Sequence, residues 1–110
     1  MDIEALIVKL QARQSEVKEL MVKTNCSGTL SESRFKGELH GLQLAIDEAT
    51  KESDQLLRIR FKKSLAEYRK KEKAMKRPRC FPDTKVFYQG IINAYQTAVQ
   101  ETIRLEKEDV

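Results

Sequence analysis

Both prolines of this chain stand at positions 78 and 82, so residues 2–77 run without the one residue that breaks a helix outright. Along that run apolar residues recur at spacings of three and four, which is the period of a helix with one buried face. Ile3, Leu6, Ile7, Leu10, Val17, Leu20 and Met21 form a first stripe. Phe35, Leu39, Leu42, Ile46, Ala49, Phe61, Leu65, Tyr68 and Met75 continue the pattern. With 4 glycines in all, the chain also lacks the turn residues that a β-sandwich of this length requires. The fold class expected is all-α.

Three helices are expected, at about 2–24, 30–76 and 83–107. Asp2 can cap the first, with Glu4 in its first turn, and Asn25 or Gly28 can close it in a left-handed conformation. Thr29 and Glu32 have the spacing of a capping box and mark the next start. The stripe thins at Thr50–Asp54, so a kink near Ser53 is the alternative to one continuous helix. With no Gly or Pro there, the continuous helix of roughly 70 Å is the reading adopted. The segment Arg77–Pro82 then forms a turn, and Asp83 or Thr84 caps the last helix. The expected architecture is a single domain, a long central helix with two shorter ones folded back on it in a bundle with coiled-coil character.

Charge is distributed unevenly. Residues 58–79 hold Arg58, Arg60, Lys62, Lys63, Arg69, Lys70, Lys71, Lys73, Lys76, Arg77 and Arg79, against Glu67 and Glu72 alone. That segment carries +9 and the remainder of the chain −5, for a total of +4. Such a block either solvates the end of a helix, where cations oppose the dipole, or binds an anionic partner. A nucleic acid, a nucleotide and an acidic protein surface are the partners it fits. Tyr68 and Tyr88 are candidates for stacking against bases. No helix-turn-helix, zinc-finger or RNA-recognition pattern accompanies the block, so any nucleic-acid binding is expected to ignore base sequence.

Small residues recur every fourth position in two places: Gly37, Gly41, Ala45 and Ala49, and again Gly90, Ala94 and Ala98. Glycine inside a helix costs about 1 kcal/mol relative to alanine, so each stripe implies close approach by another helix. That approach is either packing within the chain or self-association into a homo-oligomer.

The sequence offers no catalytic constellation, and a non-enzymatic role is expected. Cys26 and His40 lack a third group to complete a nucleophile, and no paired Cys/His spacing suggests a metal or cofactor. Asp47 and Glu48 read as part of a solvated face. Cys26 and Cys80 fall in the two expected turns, too far apart to bridge if the central helix is straight. No apolar run is long enough for a membrane span, and the acidic N-terminus lacks the order of a signal peptide, so a cytosolic location is expected.

The stretch Phe35–Ala49, with G-x-x-x-G-L-x-x-A-I at 37–46 and flanking acids, resembles segments of small all-helical accessory proteins of bacteriophages. The resemblance covers about fifteen residues, with an echo at 88–102. It implies a phage-encoded protein in the host cytosol that binds and inhibits or adapts a host component, including a defence component, without catalysis. Two other functions are carried beside it. One is a sequence-nonspecific nucleic-acid-binding accessory protein using residues 58–79. The other is an oligomer that takes up a small anionic nucleotide between chains.

Overall fold

The computed structural model describes residues 2–25, 28–51, 54–75 and 82–108. These form four helices that pack into a bundle: α1 (Ile3–Lys23), α2 (Leu30–Lys51), α3 (Asp54–Ala74) and α4 (Pro82–Glu108). There is no strand among the described residues.

The expected central helix is therefore two helices. A continuous helix over residues 30–74 would span about 67 Å. The longest dimension of the molecule is 47 Å. The chain instead doubles back, and Ser64 Oγ on α3 lies 3.4 Å from Glu48 Oε1 on α2. Residues 52 and 53, where the kink was placed, lie outside the described residues, as do most of the turn at 77–82, both cysteines, and Lys76, Arg77 and Arg79. Pro82 opens α4 instead of ending the turn, a position where its missing N–H is not needed.

The local signals at the first turn hold. Asp2 accepts a hydrogen bond from the Ala5 amide at 3.2 Å. Asn25 adopts φ 47° just after the Thr24 C-cap, the left-handed closure that asparagine tolerates. Thr29 Oγ1 accepts from the Glu32 amide at 3.3 Å, and the Glu32 carboxylate accepts from Gly28 N–H at 3.0 Å. The reciprocal arm of the capping box thus reaches one residue beyond Thr29.

α2 and α4 form the most extensive contact, α1 leans chiefly on α2 and α3 chiefly on α4. α2 and α4 run parallel: Gly37 faces Phe87 and Gly41 faces Ile91 and Ala94. α3 runs antiparallel to α4, since Tyr68 meets Tyr88 and Arg58 meets Glu106. The shortest dimension, 21 Å, is the thickness of two helix layers.

The two small-residue stripes meet each other. Gly37, Gly41 and Gly90 are buried, and Ala45, Ala94 and Ala98 are fully so. A Cβ on Gly37 would lie 2.0 Å from the Phe87 carbonyl oxygen, and one on Gly90 would lie 2.6 Å from the Glu38 nitrogen. Their glycines let the backbones touch, and the stripes are covered inside one chain. Around this seam one core collects Leu6, Leu10 and Val17 of α1, Leu42 and Ile46 of α2, Leu57 and Phe61 of α3, and Ile91, Tyr95 and Leu105 of α4.

Candidate anion-binding face

Buried residues on α3 are Leu57, Phe61 and Leu65, with Ser64, Tyr68 and Glu72 half-buried beside them. At 100° per residue these occupy one side of the helix and leave the rest to solvent. Arg58, Lys62, Arg69 and Lys73 fall within about 60° of one another on the flank next to α4. Arg58 pairs with Glu106 of α4, and Arg69 and Lys73 border a groove on the α4 surface. Lys63 and Lys70 are exposed on the outward side of the helix, away from the core, and Arg60 is exposed on the flank opposite the row. Lys71 lies 3.9 Å from Glu67 and sits 5.0 Å over the Tyr68 ring.

The cation row spans about 22 Å of helix. A second row faces it on α4. Gln89, Asn93, Gln96 and Gln100 recur at helical spacing and point along one side, with Asn93 and Gln100 exposed and Gln89 and Gln96 half-buried. The rows come together at one end, where Gln89 and Asn93 border the same groove as Arg69 and Lys73. Gln89 Nε2 donates to Glu72 Oε1 at 3.2 Å, which joins the rows.

At the end of the rows, Arg34 of α2 joins Arg69, Glu72 and Lys73 of α3 and Gln89, Ile92 and Asn93 of α4 around a groove of about 540 Å³. Three cations there face one carboxylate. Arg34 and the amides were not singled out from the sequence. The amide row follows from spacing alone and could have been found; Arg34 is brought to the groove only by the packing of α2 on α4.

Tyr68 and Tyr88 are not arranged as open stacking platforms. Their rings are 5.9 Å apart, and Tyr68 also stacks on Tyr95 at 5.8 Å. Both side chains are half-buried between α3 and α4.

Glu48 also departs from its expected place on a solvated face. Asp47 is exposed, but Glu48 turns inward, and its Oε1 accepts from Tyr95 O–H at 3.3 Å as well as from Ser64. Burial, and then the Glu48 charge, push the Tyr95 phenol well above its usual range, so it stays protonated and donates. His40 is exposed, its ring 5.8 Å from Phe87.

Among the described residues no group of His, Cys, Asp and Glu is placed to hold a metal ion, and no helix is long and apolar enough to cross a membrane. No family model, curated protein or solved structure matches this chain.

Proposed function

We propose that this protein is a binding module that holds nucleic acid on the α3–α4 surface without base-sequence preference. The observation that carries the reading is the exposed row Lys62, Arg69 and Lys73 on one flank of α3, of which Arg69 and Lys73 share a groove with the amides Gln89 and Asn93 of α4. The cations neutralise phosphates, and neutral amides donate and accept toward sugars and base edges whatever the base. The arrangement suits a strand lying along the helices, since the row is long enough for several phosphates.

Fluorescence anisotropy with labelled mixed-sequence DNA and RNA, single- and double-stranded, tests it. Binding at 50 mM salt should weaken with a slope of log affinity against log salt of about −2 to −3, as expected for phosphate contacts from Lys62, Arg69 and Lys73, Arg58 being paired with Glu106. Absence of binding to any of them at low salt overturns the reading.

A protein partner is the second reading, and the resemblance to phage accessory proteins leads to it. What favours it structurally lies on α1, where Val22 is 81% exposed. Lys18, Glu19, Val22 and Lys23 border a shallow cleft there, apolar in lining. A bacterial lysate passed over the immobilised protein and over a Val22→Asp variant tests it. A protein retained only by the unaltered chain supports this reading, and equal retention by both removes it.

A further inference from the structure

The groove at the end of the two rows differs from the rows themselves. It is bordered by three helices, its cations come from two of them, and Ile92 is the one apolar residue in its lining. We propose that it seats a phosphomonoester, either a free nucleoside monophosphate or the phosphorylated end of a strand. The inference deepens the nucleic-acid reading and rests on it for the choice of a nucleotide among phosphate esters.

The argument is one of charge, size and fixed geometry. Arg34, Arg69 and Lys73 surround the groove with Glu72 as the one acid. Glu72 accepts the Gln89 amide at 3.2 Å, so part of its capacity is used and the Gln89 side chain is oriented. A phosphomonoester carries about −1.5 to −2 at neutral pH, whereas each internal phosphodiester carries a single charge. A groove bordered by three cations, Arg34 among them with its guanidinium 5.6 Å over the Phe35 ring, therefore favours the monoester over the middle of a strand. Arginine suits it further because its planar fork meets two phosphate oxygens at once.

The base of Arg34 is also held in place. Its carbonyl oxygen lies where a Cβ on Gly90 would be, at 2.1 Å, so the glycine seam sets how far the Arg34 backbone stands from α4. The groove volume of about 540 Å³ is within the range of small-ligand sites, roughly 300–1,000 Å³. Asn93, exposed at the groove, offers both a donor and an acceptor to a sugar or base.

The test uses the full chain and two kinds of probe. Calorimetric titration compares AMP, adenosine and inorganic phosphate. Anisotropy compares one mixed-sequence oligonucleotide with a 5′-phosphate and with a 5′-hydroxyl. AMP should bind and adenosine should not. The 5′-phosphorylated strand should bind about tenfold tighter than the hydroxyl strand, the worth of one charge-assisted contact of about 1.4 kcal/mol. Arg34→Ala should bring that ratio to about one and abolish AMP binding, while Lys9→Ala on exposed α1 should keep both. Circular dichroism checks that each variant remains helical.

Equal affinity for the two strand ends, with no AMP binding, overturns the groove as a monoester site and leaves the nucleic-acid reading standing. AMP binding that depends on Arg34, with neither strand bound, supports the groove as a free-nucleotide site and removes the strand.

Discussion

A Cβ on Gly90 would lie 2.1 Å from the carbonyl oxygen of Arg34, so at this point two helix backbones touch with no side chain between them. Real Cβ atoms do not come so near a carbonyl oxygen, and backbone, unlike a side-chain tip, cannot swing aside. The contact therefore fixes the spacing of α2 and α4, and through it the position of Arg34.

Gly90→Ala and Gly37→Ala are accordingly expected to destabilise the fold by about 3 kcal/mol or more, the upper end of overpacking effects. Gly28→Ala meets open space and is strained only by its φ of 78°, and should cost about 1 kcal/mol. Urea denaturation of the three variants gives the comparison. Equal losses at all three sites would show that the α2–α4 seam is not as tight as described.

Arg13 ties α1 to α2. Its Nε donates to Glu38 Oε1 at 2.9 Å, and Glu38 is 5% exposed. This hydrogen bond, ahead of the lesser contribution of Glu16, holds the guanidinium above its ordinary range. Arg13→Ala leaves a buried carboxylate without its cation and should cost about 2 kcal/mol, below the value for a fully buried pair because Arg13 is partly exposed. Adding Glu38→Gln should recover much of that loss. A double-mutant cycle by chemical denaturation measures the coupling.

Tyr95 predicts an alkaline limit to stability. Its phenol is raised from the ordinary value of 10.0 by burial first and by Glu48 second. Below pH 10 both folded and unfolded chains keep the proton, and the contribution is fully present. Above pH 10 the unfolded chain releases it while the folded one retains it. Stability should then fall by about 1.4 kcal/mol per pH unit until the folded group titrates too. Unfolding midpoints at pH 9 and pH 11 should differ more for the unaltered chain than for Tyr95→Phe. An identical difference in both would remove Tyr95 as the cause.

Lys62, Arg69 and Lys73 are exposed on α3. Reversing all three to Glu should leave the helical signal and the midpoint nearly unchanged, within about 1 kcal/mol. Nucleic-acid affinity at 50 mM salt should drop at least about tenfold and its salt slope should flatten. If the variant unfolds, the row is part of the fold and not a binding surface.

The buried faces were legible because spacing of three and four needs no knowledge of neighbours: Leu6, Leu10 and Val17, or Ile91, Tyr95 and Ala98, announce a shared side by number alone. The thinning stripe at Thr50–Asp54 located the alternative kink, but did not decide it against one continuous helix. No Gly or Pro marks it, and what favours it is global. Folding α3 back buries Leu57 and Phe61 in the common core, with the Phe61 ring 6.2 Å from that of Tyr95 on α4. Glu48 shows the same limit. Beside Asp47 it reads as another solvated acid, and its inward partners Ser64 and Tyr95 stand sixteen and forty-seven residues on. The basic character of α3 was visible as a charge count. That Arg69 and Lys73 share a groove with Gln89 and Asn93 became visible only when α4 lay beside α3.

α1 and α3 barely meet, and each rests mainly on its own member of the α2–α4 pair. The register of the bundle is thus held by glycines far from the solvent side of α3. Substitutions on that outer side can accumulate one at a time without testing the seam. Under selection by a changing partner, a chain built this way can alter what it recognises much faster than how it folds.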